Sequence, residues 1–395
     1  MLDNPAACAV GSASCPARIG IDARPLRWPG IGRYTCELIE QLARLDSTDR
    51  FFVYCESEET AARFRGRWPN FQAVVLGSGL YTISEQFRLP LRIRGDALDL
   101  FHAPASLVVP LLHTCPLVVT VHDLLLRNHP DHLPSLLGRL YFELMNAAAL
   151  HGARQLLTVS EFTRSELVKA YPAFADKTRT TPNAVGAAFR PTRDDPRAAA
   201  LRAKFALRSR YLMYVGTYKK HKNLPFLIEA YAALPPELRA NCQLLVLARR
   251  DARYPEVDAL IERHRLREMV VQIERVDEDE LIALYGGAVA VVAPSLYEGF
   301  GFPVLEGMAC GTAVVATDIP AFVEVAGDCA LYAAPSDRGA MTDALARLLR
   351  EPMLRERLAA AGLARSARFS WHRTALETLA AYRVTLGRAG AKAPS

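Results

Sequence analysis

Two successive α/β domains, each a doubly wound parallel sheet covered by helices, are what this 395-residue sequence predicts. Three observations lead there. Short β-branched or apolar runs alternate with amphipathic helical stretches through both halves of the chain, the pattern of parallel strands joined by helical crossovers. The length and the 51% apolar content are enough for two cores. A stretch with Pro191, Pro196 and a run of charges separates the two halves and reads as a linker.

Taken in order, the first half predicts strands at 18–23, 51–55, 73–76, 117–122 and 155–159, with helices between them. The second half predicts strands at 211–215, 243–247, 270–273, 288–292 and 313–316, again separated by helices. The domain reading is therefore an N-terminal domain at 18–190, a linker at 191–200 and a C-terminal domain at 201–368. A last helix within 369–387 follows a complete second domain and is free to cross back over the linker. The ends, 1–17 and 388–395, read as disordered.

Bulk properties exclude several classes. The net charge of +6 is spread among interspersed acidic residues, with no basic stripe of the kind nucleic acid demands, so no nucleic-acid partner is expected. Two short clusters, Arg63, Arg65 and Arg67 beside Trp68, and Arg88, Arg92 and Arg94 beside Phe87 and Leu91, suit either anionic lipid headgroups or plain solvated helix faces. The eight cysteines, from Cys8 to Cys329, form no CxxC pairs and no zinc-site spacing. They read as reduced core residues, and no metal site is expected. No apolar run approaches the roughly 18 to 20 residues of a membrane span, and no secretory leader is visible. A cytoplasmic location follows.

The most informative segment runs from Val292 to Ala316. An apolar strand ends at Pro294 and Ser295; then Glu298, Gly299, Phe300, Gly301, Phe302 and Pro303 lead into a helix that Gly311 terminates. Glycine lets backbone approach a ligand closely, and proline suits the first helical turn, which makes Pro303 the expected N1 residue. The N–H groups of Phe302, Val304 and Leu305 then sit at the positive end of a helix, where a diphosphate is favoured. Glu306, about one turn in, is placed to accept two ribose hydroxyls, and Glu298 lies on the loop where an attached sugar falls.

The spacing Glu298–x7–Glu306, set in Ser295-Leu296-Tyr297-Glu298-Gly299-Phe300-Gly301, resembles the retaining GT-B glycosyltransferases of family 4, and the resemblance covers almost the whole chain. It implies two Rossmann-like domains facing an interdomain cleft. It also implies that Glu298 holds the donor sugar and Glu306 the ribose. In Tyr214-Val215-Gly216-Thr217-Tyr218-Lys219-Lys220-His221-Lys222-Asn223-Leu224, Lys222 stands where the family's lysine meets the donor diphosphate, and Asn223 is an expected N-cap. Thr217 departs from the pattern, since many relatives carry an arginine there for a second, bidentate phosphate contact; Lys219, Lys220 or Arg249 are the alternatives.

Other matches follow the same resemblance. Gly30 and Gly32, in the loop Arg24–Tyr34, would let backbone approach the donor phosphates; the loop lacks a Walker A ending. His122 would contact the donor sugar or acceptor, with Asp123 orienting it, at the end of a strand where open α/β sheets bind ligands. The loop 274–276, ending at Val276, would hold the nucleotide base. Asp277 and Glu280 formally belong to an acidic DxD-type run, yet their spacing fits a capping box. Val159 to Phe162 and Pro182 to Val185 read as structural landmarks.

The implied activity is retaining transfer of a hexose, with GDP-mannose suggested first, from a nucleotide-sugar to a hydroxyl of a glycan or lipid-linked oligosaccharide. It implies no metal and no cofactor beyond the nucleotide-sugar co-substrate, and work at the inner face of the cytoplasmic membrane. Two domains would close around the donor, hinged near Pro191. Competing readings are a sugar-nucleotide 2-epimerase of the same fold, which needs no acceptor, and a noncatalytic sugar-nucleotide-binding protein, which forms no product.

Overall fold

A computed structural model describes residues 15–46, 48–133, 135–192 and 196–388. Most of the two ends expected to be disordered, 1–14 and 389–395, lies outside the described residues, as does Cys8.

All ten expected strands are present, each end displaced by no more than two residues. The first seven strands are β1 (Arg18–Asp22), β2 (Arg50–Cys55), β3 (Phe71–Val75), β4 (Leu100–Ala103), β5 (Leu117–Val121), β6 (Ala153–Thr158) and β7 (Thr178–Thr180). They form one sheet in the order β3-β2-β1-β4-β5-β6-β7. The next six are β8 (Tyr211–Val215), β9 (Gln243–Leu247), β10 (Val270–Ile273), β11 (Ala290–Ala293), β12 (Ala313–Thr317) and β13 (Ala330–Ala333). Their order is β10-β9-β8-β11-β12-β13. Strands β4, β7 and β13 were not expected. They are short, and sequences such as Thr178-Arg179-Thr180 lack an apolar run; pairing within the sheet, as of β13 against β12 from Val314↔Ala330 to Thr317↔Ala333, makes them strands.

The pleat explains why β8 is apolar throughout. Leu212 and Tyr214 enter one buried cluster with Leu244, Val246 and Val315, while Tyr211 and Met213 enter the other with Leu245, Val291 and Val314. Side chains alternate across a strand, so a sheet covered on both faces needs apolar residues at both phases. The strand order reverses beside β1 in the first sheet, where β1 pairs with both β2 and β4, and beside β8 in the second, where β8 pairs with both β9 and β11. Ligands of open parallel sheets sit beyond the carboxyl ends of strands at such points. The glycine loops after β1, β8 and β11 all emerge there.

The chain falls into two compact units. One comprises the described residues up to Thr120 with Tyr141–Leu156 and the chain from Ala375; the other comprises Val121–Leu140 and Leu157–Thr374. The last helix, Trp371–Thr385, enters the first unit at Ala375, where the Tyr382 hydroxyl and His102 Nδ1 are 2.7 Å apart. Within the expected linker, Pro196 opens a helix, Pro196–Lys204, because proline is preorganised for a first helical position. Among the described residues four thiols are buried, and burial pushes those of Cys55, Cys115 and Cys310 up to about 12 and that of Cys242 to about 11, as inert core residues require.

Candidate active site

The loop from Pro294 to Gly301 joins β11 to the helix Phe302–Ala309, and hydrogen bonds hold it along its length. The Ser295 carbonyl accepts from Thr317 Oγ1 at 2.5 Å, and Leu296 N donates to the His221 carbonyl at 2.7 Å. The Tyr297 hydroxyl accepts from Leu124 N at 3.1 Å, and the Gly299 carbonyl is reached by Ser160 Oγ at 2.6 Å and Thr163 Oγ1 at 3.0 Å. Two glycines are obligatory. A Cβ on Gly299 would lie 1.9 Å from the His122 carbonyl oxygen, and Gly301 has φ +124°, with the Phe322 ring 2.8 Å from any added Cβ.

This clamping brings Glu298 against Lys222. Lys222 Nζ donates to Glu298 Oε1 at 2.6 Å, and the same oxygen accepts from Ser295 Oγ at 2.7 Å. The two side chains are 19% and 15% exposed, so solvent screens the pair only in part, and such a bond to a charged group contributes about 1.5–3 kcal/mol. Lys222 is delivered by the turn after β8. A Cβ on Gly216 would lie 2.6 Å from the Tyr214 hydroxyl, so the chain turns tightly there before the short 3-10 helix Lys220–Lys222. Because β8 and β11 are neighbours, their following loops are too, which is why His221 and Leu296 meet.

Asn223 precedes the helix Leu224–Ala232 as expected, but it does not cap it with its side chain. Its φ is +54°, a left-handed conformation that asparagine tolerates, and Nδ2 donates instead to the Pro335 carbonyl at 3.2 Å. The helix of Glu306 also departs from expectation. It starts at Phe302 with Gly301 as N-cap, so Pro303 is its second residue, where its missing N–H is equally harmless. Leu305 N closes the first helical bond, to the Gly301 carbonyl at 3.2 Å, and is therefore already used. The first-turn N–H groups of Phe302 and Val304 point out of the helix end.

Glu306 is 3% exposed, and its Oε2 accepts from the Tyr285 hydroxyl at 2.8 Å. Tyr285 lies on the helix Glu278–Gly287, whose start is the expected capping box. Asp277 Oδ1 accepts from Glu280 N at 2.8 Å, and Glu280 Oε2 accepts from Asp277 N at 3.2 Å. The side chain of Val276, just before it, packs on the core formed in part by Ile273 and Ile282.

His122 follows the last residue of β5, and its carbonyl fits against Gly299. Asp123, at an exposed position, accepts from Leu125 N at 2.9 Å, and a Cβ on Gly299 would lie 3.0 Å from the Asp123 Cβ. The unit beginning at Val121 thus gathers His122, Asp123, Lys222, Glu298 and Glu306, whereas Gly30 and Gly32 belong to the other unit. Gly30 is the N-cap of the helix Ile31–Leu45 with φ +81°, and a Cβ on Gly32 would lie 2.0 Å from the Leu26 carbonyl oxygen.

Several supporting residues escape sequence reasoning, namely Tyr285, Thr163 and Thr317, as do the bonding roles of Ser295 and Tyr297 within the motif. Only Ser160 was visible as a landmark, and it caps the helix Glu161–Ala170 as well as bonding to Gly299. A lone tyrosine or threonine has no local pattern that reveals a partner on another element, whether 21 positions away, as for Tyr285 and Glu306, or 136, as for Thr163 and Gly299.

Comparison with known proteins places this geometry. The family model described as Glycosyltransferase Family 4 matches residues 28–189, and that described as Glycosyl transferases group 1 matches residues 200–365. The O-antigen chain mannosyltransferase B of Escherichia coli is 29% identical over 91% of this chain and 98% of its own length. Among solved structures, sucrose-phosphate synthase from Thermosynechococcus elongatus superposes with TM-score 0.75 at 21% identity, covering 94% of this chain and all of its own. Anabaena Alr3699/HepE in complex with UDP-glucose superposes with TM-score 0.74 at 17% identity over 92% of this chain and 99% of its own. The two parallel-sheet domains are those of the GT-B fold, and the chain belongs to the group 1 glycosyltransferases, with a family 4 N-terminal domain.

Proposed function

We propose that this glycosyltransferase moves mannose from GDP-mannose, with retention of configuration, onto a hydroxyl of a growing surface glycan carried on a lipid. The observation that carries the reading is the Lys222–Glu298 pair, on a chain similar over 91% of its length to an O-antigen chain mannosyltransferase. Lys222 and the first turn at Phe302 and Val304 stabilise the diphosphate as the glycosidic bond breaks, an electrostatic task that needs no nucleophile of the protein's own. Glu298 orients the sugar hydroxyls, His122 touches the donor sugar and Asp123 orients it. Glu306, steadied by Tyr285, takes the ribose, the loop ending at Val276 takes the base, and Gly30 and Gly32 serve the phosphates.

One of Lys219, Lys220 and Arg249 takes the part of the arginine absent at Thr217. The reaction is read as metal-independent, Lys222 supplying the positive charge, with the nucleotide-sugar as co-substrate and no other cofactor. The enzyme works in the cytoplasm at the inner membrane face; among the described residues no helix is long and apolar enough to cross a membrane.

The test is a thermal-shift panel of GDP, UDP, dTDP, ADP and their sugar conjugates, followed by turnover of the responding donor with lipid-linked acceptors. A ligand bound by the folded state alone raises the melting temperature. Stabilisation by GDP and GDP-mannose with transfer of mannose supports the reading; a response confined to UDP-sugars overturns the donor.

A further inference from the structure

Two residues of the loop after β3 share a backbone conformation and differ in everything else. Gly77 has φ +65° and Tyr81 has φ +63°. Glycine takes this left-handed conformation without steric cost, whereas a bulky residue there is an outlier that persists only where its surroundings hold it. Among the described non-glycine residues with positive φ, Tyr81 alone is aromatic. If the turn were all that mattered, glycine would serve at 81 as it does at 77, so the ring has a use beyond the turn.

Buried charge holds the strained residue in place. Tyr81 N donates to Glu85 Oε2 at 2.8 Å, and Glu85 Oε1 pairs with Arg24 at 2.9 Å, both side chains being almost wholly buried. Arg24 opens the loop that carries Trp28, whose ring stacks on that of Tyr81 at 5.6 Å and 12°. The Tyr141 ring stands across Tyr81 at 5.8 Å and 79°, so the two tyrosines make a nearly right-angled corner with Trp28 behind it. All three rings lie in the first unit. The loops after β1 and β3 leave the carboxyl edge of a parallel sheet, the edge on which such sheets bind ligands.

The corner offers apolar faces and unused polar groups. Tyr81 is 50% exposed and Tyr141 half-buried. Neither hydroxyl is hydrogen-bonded to another described residue, whereas the buried hydroxyls of Tyr34, Tyr54 and Tyr285 bond to Thr120, Asp96 and Glu306. Ser78, in the same loop as Tyr81, is 5% exposed, and its Oγ has no partner among the described residues. Buried hydroxyls are normally paired, so an unpaired one points to a partner that arrives from outside. A pyranose ring is complementary to this arrangement. Its face of C–H groups leaves water on stacking against an aromatic ring, and its rim of hydroxyls both donates and accepts.

We propose that Tyr81 and Tyr141 receive a sugar ring of the acceptor glycan, its apolar face against the corner and its hydroxyls bonded to the two phenols and Ser78. The proposal rests on the reading of a glycan acceptor and names the residues that grip it.

The test measures binding of an α-linked mannotriose to the full chain by ligand-observed NMR, without donor, and then its KM as acceptor with GDP-mannose. Y81G removes the ring and relaxes the backbone together, so a melting temperature close to wild type is expected, with mannotriose binding weakened by about tenfold or more. Y141L, on a helix outside the loop, should weaken it in the same direction. Y81F keeps the ring and should lose less than Y81G. Nucleotide affinity should stay at the wild-type value in all three, and KM for the acceptor should follow the binding. A ring with a structural role alone would give the opposite result in Y81G, a lowered melting temperature with binding unchanged. That result, a wild type that does not bind mannotriose, or binding indifferent to both Y81G and Y141L overturns the proposal. Binding that follows these variants without any transfer from GDP-mannose counts against the proposed donor alone and leaves the corner as a glycan site.

Discussion

The loop Arg24–Gly30 after β1 and the loop Pro294–Gly301 after β11 are built to the same plan and equipped differently. Each leaves the carboxyl end of a strand where its sheet reverses order, and each ends in a glycine N-cap with positive φ. Beside each cap a second glycine leaves no room for a side chain: an added Cβ would lie 2.0 Å from the Leu26 carbonyl oxygen at Gly32 and 1.9 Å from the His122 carbonyl oxygen at Gly299. Below the first loop the charge is buried and satisfied. Arg24 grips Asp22 through two bonds of 2.8 and 2.6 Å and pairs with Glu85 at 2.9 Å. On the second, the charge stays accessible, as Glu298 and Lys222 keep part of their surface open. One loop is shaped by buried charge and offers backbone; the other is shaped by hydroxyl and amide bonds to its carbonyls and offers side chains.

The largest expected effect tests the first half of that contrast. Arg24→Met leaves two buried carboxylates without their cation and should cost about 3–5 kcal/mol in thermal or denaturant unfolding; a loss below about 1 kcal/mol would show that the triad does not shape the loop. On the second loop the cost should fall on turnover instead. Glu298→Gln should lower kcat by about 100-fold or more with nucleotide affinity little changed, and an equal loss of affinity would move Glu298 from the sugar to the nucleotide.

Between these lies Gly299→Ala, whose new methyl group meets the His122 carbonyl; steady-state kinetics and unfolding together should show slowed turnover with about 1–3 kcal/mol of destabilisation. Glu306→Ala should weaken nucleotide binding by about tenfold, and Tyr285→Phe by less, in titration calorimetry. Reversal of that order would make the tyrosine the direct ligand.

The smallest effect concerns opening motions behind the loops. Cys55 ends β2, beside β1, and Cys310 follows the helix of Glu306; both are buried, and burial raises both thiols to about 12. Thiol reagents should reach both far more slowly than Cys15, Cys36 or Cys329 in the native protein. Faster labelling of Cys310 than of Cys55 would show that the second loop opens more often than the first.

Much of this was legible from residue order alone. Ten strands, the capping box at Asp277, the glycine turns and the run from Glu298 to Glu306 are local patterns: apolar phase, turn chemistry and spacing along one helix, each set by neighbours a few residues away. The tertiary structure decided what depends on distant partners. It made strands of β4, β7 and β13 by pairing them, turned Asn223 from a side-chain cap into a left-handed residue bonded to Pro335, and used the Leu305 N–H inside its own helix. It set Lys222 against Glu298 and Tyr285 against Glu306, and it paired Arg65 with Glu58 and Arg67 with Glu40. The physical reason is range. Backbone preference and hydrophobic periodicity act over a turn or a strand, whereas a hydrogen bond or ion pair across 76 positions, as from Lys222 to Glu298, exists only once two neighbouring strands have aligned their ends.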